Sequence, residues 1–594
     1  MEKTGVAFSD FIISEKSSRH PMGYGDGKKT MRVFFLLICA FLAILGIFAR
    51  LFYLQVIQGG YYRYLADNNR TRTVIVHAPR GIILDRNGTP LVFNVPGFRK
   101  KVGDKTVFLT NDEAVPLIAK GDKSLEVDSL RQYPYKDILS HVLGYIGQIS
   151  KEELSSPEFV DYKGGDIIGK MGLEQEYESK LKGIDEKQLV EVDSQGKTIR
   201  KLGQTDPIPG QDVKTTLDIS VQKATFDAMK DVKKGAAIVS TAQGEILAMV
   251  SKPSFDPNLF TMGENYKATD SSYSNITDIL MDGKNQPLLN RAISGTYPPG
   301  STFKLIVASA GLGTGIIDEN YQVQDTGVLK IGAFSFANWY YTDYGRTDGS
   351  LNVVGGIKRS NDIFFYKLAE KIGVDTLSAW AEKFGLGKTL GIDLEGEATG
   401  NVPTQEWKQK TVGEPWYLGD TYHYGIGQGY LLTTPLQVNG WTQVIANSGT
   451  LYQPHLLVNQ KPKVLVNNLL NQKNDALIRE GMIEVCSTGG VAWPLFDFKV
   501  KNPKLQIDGK NILEAPQATT SADFKDYRKV VIACKTGTAE HGDSTTMPHA
   551  WITLFAPAYN PQIVITVLAE DSGEGSNVAA PIAKKILEAW FSKQ

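Results

Sequence analysis

The sequence predicts an α+β protein, in which an antiparallel sheet flanked by helices follows an elongated mixed region and one N-terminal transmembrane helix. Three observations predict this fold. Strand-like hairpins lie at both ends of the C-terminal part, helical segments lie between them, and one long uncharged run stands near the N-terminus. The predicted parts, in chain order, are a tail, a membrane helix, an accessory domain and a main domain, at residues 1–31, 32–57, 58–215 and 216–594.

The membrane helix is predicted from the uncharged run VFFLLICAFLAILGIFA at 33–49, which resumes after Arg50 as LFYLQVI. This length spans about 30 Å of hydrocarbon if the Arg50 side chain reaches the interface. A cleaved signal peptide and a buried core helix are the competing interpretations, but the run is long for a signal sequence and a polar tail precedes it. Lys28, Lys29 and Arg32 flank its N-terminal side, so the tail is predicted to be cytoplasmic and the main domain extracytoplasmic.

Composition excludes several classes of protein. The 594 residues include 64 Lys plus Arg and 65 Asp plus Glu, so no global basic field indicates nucleic-acid binding. The length suggests more than one domain. Cys39, Cys486 and Cys534 are too few for a disulfide framework, and the last two lack metal-ligand spacing.

The accessory region at 58–215 is rich in charge and turns, with short strand-like runs such as TRTVIVHA at 71–78. The Pro- and Gly-rich segment 205–218 is interpreted as its boundary. This region is predicted to be an elongated domain without an enzymatic core.

The main domain contains clear elements. Residues 235–251 predict a β-hairpin, 529–540 a strand leading into a Gly turn, and 549–570 a long hairpin that turns at Asn560-Pro561. Residues 360–373 predict a helix, and 580–593 a C-terminal helix with Pro in its first turn. Strands at both ends with helices between them indicate an antiparallel sheet covered by helices.

The stretch PPGSTFK at 298–304 is the first candidate for chemistry. It predicts a helix from about Ser301, on which Ser301 and Lys304 share one face. A serine nucleophile needs a neighbouring base and N–H donors such as those at a helix N-terminus. For this pattern alone, a capping serine and a solvated lysine remain the simpler interpretation.

Two further stretches change that balance. Ser360-Asn361-Asp362 precedes an apolar helix, and Lys535-Thr536-Gly537 ends a predicted strand. Each has an ordinary interpretation, as a helix cap or a turn. Ser-x-x-Lys, Ser-x-Asn/Asp and Lys-Thr-Gly in this order and context are the signature set of penicillin-recognising serine enzymes.

On these motifs the chain resembles the class B, high-molecular-weight penicillin-binding proteins, which are peptidoglycan D,D-transpeptidases with a serine β-lactamase/transpeptidase-like domain. RGIILDRNG at 80–88, RQYPYKDILSHVLGYIG at 131–147 and GKMGLEQEYESKLKG at 169–183 are similar to the pedestal, or dimerisation-type, domain of that class. YGIGQGYLLTTPLQ at 424–437 and HAWITLFAP at 549–557 extend the resemblance, and the latter looks most like the penicillin-binding protein 2 branch that serves cell elongation.

The resemblance implies a role for each motif residue. Ser301 would attack the penultimate D-Ala carbonyl of a stem peptide, Lys304 would accept its proton, and Ser360 would relay a proton to the leaving amine. Lys535 would be the second cation that lowers the pKa of Lys304. The implied substrate-binding positions are Asp362, Thr536, Gly537 and Thr538. At position 362 the class commonly has Asn, whereas this chain has Asp. Because a carboxylate cannot donate a hydrogen bond as an amide does, the detailed role of Asp362 stays open.

The same resemblance implies no cofactor and no metal. Some relatives look like zinc binders between the first two motifs, but FANWYYTDYGRTDGS at 336–350 has no His or Cys. Asp343 and Asp348 are therefore interpreted as surface turn residues, and His549 as a structural residue at a strand start.

The implied substrates are D-Ala-D-Ala stem peptides, with β-lactams as covalent inhibitors. Class B relatives lack their own glycan polymerase, so the implied partner is a lipid II polymerase of the shape, elongation, division and sporulation family. The membrane helix and the pedestal would contact it.

Rival functions are hydrolysis, as a carboxypeptidase or β-lactamase, and a β-lactam sensor or non-catalytic scaffold of wall synthesis. Hydrolysis needs no large accessory domain, and sensors usually have more membrane helices. A scaffold would be expected to have lost a motif residue, whereas every motif serine and lysine is present.

Overall fold

The computed structural model describes residues 27–593, apart from 104, 123, 194–197, 204–205, 264, 270, 503, 506–526 and 544. The predicted tail therefore lies almost wholly outside the described residues. The chain divides into two compact units, one within residues 1–75 and 187–205, the other within 76–186 and 206–594. The predicted domain limits at 58 and 215 stay predictions, because these units follow a different division.

The described residues form strands and helices that we number separately in chain order. The strands are β1 Thr71–Val76, β2 Ile83–Leu84, β3 Pro90–Val102, β4 Lys105–Leu109, β5 Leu125–Gln132, β6 Ile146–Gln148, β7 Ile167–Gly169, β8 Glu186–Val192, β9 Thr198–Gly203, β10 Val213–Lys214, β11 Gly235–Ser240, β12 Ile246–Lys252, β13 Val323–Gln324, β14 Val328–Ile331, β15 Phe334–Ala337, β16 Ser350–Leu351, β17 Leu451–Tyr452, β18 Val464–Val466, β19 Lys499–Lys501, β20 Tyr527–Lys529, β21 Ala533–Ala539, β22 His549–Ala556 and β23 Ile563–Ala569. The α-helices are α1 Gly27–Phe52, α2 Gly59–Arg70, α3 Asn111–Ala119, α4 Ser140–Leu143, α5 Gly172–Glu176, α6 Glu178–Leu181, α7 Ile219–Ala228, α8 Ile276–Met281, α9 Lys304–Gly313, α10 Trp339–Tyr344, α11 Val353–Arg359, α12 Asp362–Ile372, α13 Val374–Lys383, α14 Gln405–Thr411, α15 Leu418–Gly425, α16 Pro435–Ala446, α17 Gln472–Val485 and α18 Ala580–Lys593.

The smaller unit contains the predicted N-terminal helix. Helix α1 continues through a π-helical turn at Tyr53–Ile57, and a three-stranded sheet has the order β1-β8-β9. Thr30–Ile57 is the one stretch of the described residues long and apolar enough to cross a membrane. The structure thus confirms the predicted single apolar helix.

In the larger unit, the accessory part is built on a sheet of order β10-β2-β3-β4, with β5 also paired to β3. A buried ion cluster joins all three of the pedestal-like motif segments, 80–88, 131–147 and 169–183. Arg131 Nε lies 2.7 Å from Glu174 Oε1, and Arg80 Nη2 lies 3.0 Å from the other Glu174 oxygen and 2.8 Å from Glu178. Because charges buried in this way are stable only when paired, these motif residues serve the fold of this part.

The main sheet is antiparallel throughout, with the order β12-β11-β23-β22-β21. Both predicted hairpins are present as β11–β12 and β22–β23. Every residue of β11, β22 and β23 is buried, as expected of strands covered on both faces. Helix α16 packs against β11, β22 and β23, while α7 and α18 pack against each other, α7 against β12 and α18 against β22 and β23. The α+β class and its helix-flanked antiparallel sheet are confirmed.

Helix α9 lies at the centre of the helical side of this domain. It contacts α11, α12, α13 and α17, and all but the last of its residues are buried. The helix was predicted to begin at about Ser301. Instead a 3₁₀ turn occupies Gly300–Phe303, and the α-helix begins at Lys304.

Candidate active site

Ser301 lies in the 3₁₀ turn that leads into α9. The Gly300 N–H donates to the Gly427 carbonyl at 2.9 Å, and a Cβ on Gly427 would lie 2.1 Å from the Gly300 oxygen. The turn is therefore held against a loop of the YGIGQG motif at a distance that only glycine permits. Ser301 is half-buried, and its hydroxyl makes no hydrogen bond to any described residue. Ser301 is thus not a capping serine, and its hydroxyl is free to meet a ligand.

Lys304 is fully buried at the start of α9. Its Nζ donates to the Ser360 carbonyl at 2.7 Å and to Asp362 Oδ1 at 2.6 Å, and it lies 3.4 Å from Ser360 Oγ. Burial lowers the pKa of Lys304 below its usual value, and the Asp362 carboxylate opposes that shift.

Ser360 occupies the joint between two helices. Helix α11 ends at Arg359, Ser360 adopts φ +51°, and the Asn361 side chain caps α12 by accepting from the Phe364 N–H at 2.9 Å. The left-handed backbone costs about 1 kcal/mol or more for a non-glycine residue, which is typical of a functional position. It turns Ser360 Oγ towards both lysines.

Lys535 reaches Ser360 from the opposite wall. It lies on β21, is fully buried, and donates to Ser360 Oγ at 2.8 Å and to the Thr536 carbonyl at 3.0 Å. Burial, with repulsion from Lys304, holds the pKa of Lys535 well below its usual value. The structure therefore brings Ser360 together with Lys304, which is 56 residues away along the chain, and with Lys535, which is 175 residues away.

Asp362 contacts a catalytic-motif lysine directly, although the sequence implied a substrate contact. Its second oxygen accepts from the Trp339 N–H at 2.9 Å, and its own N–H donates to Asn338 Oδ1 at 3.1 Å. Both oxygens thus accept hydrogen bonds from the protein. The sequence offered no sign of the Asn338 and Trp339 contacts, because these residues meet Asp362 only in the fold.

The segment before the second motif is tied to it by buried polar groups. Asp325 Oδ2 accepts from Asn338 Nδ2 at 3.0 Å, from Asn361 Nδ2 at 2.8 Å and from the Asp348 N–H at 2.8 Å. Asp348 was expected to be a surface turn residue, and that expectation is wrong. Its side chain is 6% exposed and pairs with Arg359 Nε at 2.8 Å, because the loop folds back onto the end of α11. Asp343 is exposed, as expected, but it lies on the short helix α10 and not in a turn.

The remaining motif residues line the strand side. Thr536 and Gly537 are buried, Thr538 is exposed, and Thr538 Oγ1 lies 3.4 Å from the Gly575 N–H. A Cβ on Gly537 would lie 3.0 Å from the Pro299 carbonyl, so this glycine lets β21 approach the serine turn.

His549 begins β22, as the sequence predicted, and its ring stacks on His541. The Asp571 N–H donates to His549 Nδ1 at 3.2 Å, while the Asp571 carboxylate pairs with His541 and Lys234. Because the Lys234 ammonium beside Asp571 would repel a metal cation, we interpret His549 as a structural histidine.

One feature of the fold was not foreseen. Cys486 and Cys534 form a disulfide between the end of α17 and β21, whereas the sequence, with too few cysteines for a disulfide framework, predicted no such bond. Only the tertiary structure brings these two cysteines together, since they are 48 residues apart.

A helix-flanked antiparallel sheet, with a serine turn on one side and two buried lysines meeting at a second serine, defines the class of penicillin-recognising serine acyltransferases. Residues 235–588 match the family model of the penicillin binding protein transpeptidase domain, and residues 122–215 match that of the penicillin-binding protein dimerisation domain. The chain is 32% identical to peptidoglycan D,D-transpeptidase MrdA of Acinetobacter baumannii, over 94% of this chain and 87% of that protein.

Comparison with solved structures gives the same class of protein. Penicillin-binding protein 2 of Helicobacter pylori, solved in complex with MreC, is 28% identical with a TM-score of 0.70, covering 88% of this chain and 99% of that one. A chain from a peptidoglycan synthase complex that coordinates polymerization and crosslinking is 27% identical with a TM-score of 0.69, covering 95% and 99%. The chain belongs to the penicillin-binding protein transpeptidase family, in the penicillin-binding protein 2 branch. It is a serine-type peptidoglycan D,D-transpeptidase of cell-wall synthesis.

Proposed function

We propose that Ser301 is the nucleophile of this transpeptidase and that Lys304, Ser360 and Lys535 move its proton. The observation that supports this most is the position of Ser360 Oγ, 2.8 Å from Lys535 Nζ and 3.4 Å from Lys304 Nζ. A hydroxyl between two amines passes a proton from one to the other. The unpaired hydroxyl of Ser301 stands one helical turn before Lys304.

The charges support one neutral amine in the resting site. Two buried ammonium groups would face a single carboxylate, Asp362, and the desolvation of an unpaired charge is costly. Asp362 holds the proton on Lys304, so Lys535 is the neutral amine. When a proton passes from Lys304 through Ser360 to Lys535, Lys304 becomes the neutral base that accepts the Ser301 proton.

The acyl transfer then follows in two steps. Ser301 Oγ bonds to the carbonyl carbon of the penultimate D-Ala, and the oxyanion is stabilised by the N–H groups of Ser301 and Thr538. The C–N bond to the terminal D-Ala breaks, and Ser360 delivers a proton to the leaving amine. Thr536, Gly537 and Thr538 hold the substrate carboxylate. An amine of a second stem peptide attacks the acyl-enzyme carbonyl and loses a proton to Lys304. The C–O bond to Ser301 then breaks, Ser301 Oγ takes back that proton, and the new amide is the cross-link.

The test is covalent labelling of the detergent-solubilised full chain with a fluorescent penicillin. Ser301→Ala should abolish labelling, and Ser360→Ala should slow it strongly. Ser309→Ala is the matched control, because Ser309 lies on α9, directly after the Ser301 turn, and its hydroxyl donates to the Leu305 carbonyl of its own helix. Labelling that survives Ser301→Ala would refute the nucleophile assignment, and rapid turnover of the drug would favour a β-lactamase.

We further propose that the N-terminus is cytoplasmic and that the catalytic domain faces the wall. The basic residues Lys28, Lys29 and Arg32 before the apolar helix support this orientation, as does a disulfide in the catalytic domain. A membrane-impermeant thiol reagent on intact cells tests it. A cysteine introduced at exposed Asp343 should react, and one introduced at Ser9 should not.

We also propose a role in cell elongation together with a lipid II polymerase of the shape, elongation, division and sporulation family. The penicillin-binding protein 2 branch and the likeness to a synthase complex for polymerization and crosslinking support this. Depletion should round the cells, whereas filamentation would point to division. Co-purification of the polymerase should persist with Ser301→Ala and be lost when an unrelated membrane helix replaces residues 30–57.

A further inference from the structure

The Cys486–Cys534 disulfide joins two elements that meet at the active site. Cys534 lies on β21, directly before Lys535, and Cys486 follows the last residue of α17. Both cysteines are buried, at 0% and 6% exposure. The bond therefore fixes the strand of one catalytic-motif lysine to a helix, in a region that water does not reach.

Helix α17 in turn packs on the helix that ends at Ser360. It contacts α11 along its length, and a Cβ on Gly481 would lie 2.8 Å from the Ile357 Cβ, so the two helices approach very closely. Lys358 Nζ pairs with Glu484 at 2.6 Å across the same contact. The disulfide thus continues a covalent and packed connection from Lys535 through α17 and α11 to Ser360.

The strand itself needs such support. Among the described residues, β21 is the last strand of the main-sheet order β12-β11-β23-β22-β21, so its ladder hydrogen bonds there run to β22 alone. An edge strand is held by fewer main-chain bonds than a central one. The 2.8 Å bond from Lys535 Nζ to Ser360 Oγ crosses from this edge to the helical wall. Its length depends on how firmly the edge is held.

We propose that the Cys486–Cys534 disulfide positions Lys535 on Ser360, so that the transpeptidase reaches full activity only in its oxidised form. Two thiols lose two protons and two electrons when the S–S bond forms, and the disulfide of an oxidised dithiol carrier takes up both, becoming a dithiol. The two cysteines are positioning residues, since neither lies on the reacting atoms. This inference rests on the proposed roles of Lys535 and Ser360.

The first measurement is peptide mapping of the full chain isolated from membranes without reductant. It should recover Cys486 and Cys534 as one linked peptide, while Cys39 is alkylated. Two alkylated thiols at 486 and 534 would overturn the proposal, because the enzyme would then work with the pair reduced.

The second measurement is the rate of acylation by a fluorescent penicillin in the Cys486→Ala/Cys534→Ala variant. We expect the rate to fall about ten-fold, the scale of a slightly misplaced catalytic group. We also expect the basic limb of the acylation rate against pH to move to higher pH, because a loosened Lys535 is better solvated and further from Lys304. A merely structural brace would lower the unfolding temperature and leave the pH profile in place.

Controls separate the possible failures. Cys39→Ala should acylate like wild type. Because the Cys486–Cys534 pair is buried, the reductant is applied during a brief exposure to denaturant, and alkylation then verifies that both thiols are reduced. Treated in this way, wild type and Cys39→Ala should acylate more slowly than their oxidised forms, whereas the double alanine variant should acylate at the same rate with or without the reductant. If the double variant does not fold, as judged by circular dichroism, the reductant arm decides by itself. A wild-type rate and pH profile without the disulfide would refute the positioning role while leaving the Ser301 assignment intact. Absence of any labelling in wild type would refute the proposed catalytic roles instead.

Discussion

Lys304 Nζ lies 2.6 Å from Asp362 Oδ1 in a site where the lysine has no solvent exposure. The carboxylate stands where related motifs commonly have Asn, and this contact explains what it does. An amide would place only a dipole beside the Lys304 amine. A carboxylate places a full negative charge there, which favours the protonated form of the amine. In the proposed mechanism, Asp362 therefore sets which of the two buried lysines is charged at rest.

The first prediction concerns Asp362→Asn. Burial lowers the pKa of Lys304 and the carboxylate opposes this, so removing the carboxylate should lower that pKa further. The ascending limb of the acylation rate against pH should move to lower pH, as measured with a chromogenic cephalosporin. Asp375→Asn is the control, because Asp375 also lies in the first turn of a helix but is exposed and accepts from the Gln405 side chain, not from a lysine. An unchanged limb in Asp362→Asn would contradict this account.

The second prediction concerns Gly427→Ala. The residue has φ +76°, and an added Cβ would lie 2.1 Å from the Gly300 carbonyl oxygen, so the serine turn must shift. Penicillin labelling should slow by about ten-fold or more, the scale expected when a nucleophile is displaced. Gly315→Ala is matched for backbone strain, with φ +71°, but meets no atom within 4 Å. Its labelling should equal that of wild type, and equal loss in both variants would show that strain alone is responsible.

The third prediction concerns Asp325→Asn. One oxygen of Asp325 accepts three N–H donors, and an amide placed there would either lose an acceptor or face donors with its own NH₂. The segment that positions Asn338 and Asp362 should loosen, and acylation should slow about ten-fold or more. Exposed Asp343→Asn should leave the rate unchanged. A wild-type rate in Asp325→Asn would show that this network is not needed for catalysis.

The fourth prediction concerns pH and stability. Burial lowers the pKa of His141 from 6.5 to about 4, opposed by its bond to the Pro287 carbonyl. The folded protein thus keeps this histidine neutral, and the unfolded chain binds the extra proton as pH falls below about 6.5. The contribution to the unfolding free energy is fully present above that pH and falls by about 3 kcal/mol towards pH 4.

Thermal unfolding of wild type and His141→Gln between pH 7.5 and pH 5 measures this effect. The unfolding temperature of wild type should fall more steeply with acidification than that of the variant. Parallel pH dependences in the two proteins would remove His141 as a cause.

Much of the fold could be predicted from local sequence signals. The β11–β12 and β22–β23 hairpins follow from apolar runs around turn residues, and α18 from Pro581 and helical spacing. The start of α9 was placed three residues early, because the Gly300 turn is tightened by the distant loop at Gly427. No local pattern reports such a contact.

The sequence by itself determined the family, the antiparallel sheet flanked by helices, the apolar N-terminal helix and the motif residues, because each depends on residue types at short spacings. The tertiary structure decided what these residues do to one another. It placed Ser360 between two lysines and paired Asp362 with Lys304. It also buried Asp348 beside Arg359 and joined Cys486 to Cys534. The physical reason is that pKa values, ion pairs and disulfides depend on distance and burial. Those quantities arise only when segments remote in the chain pack together.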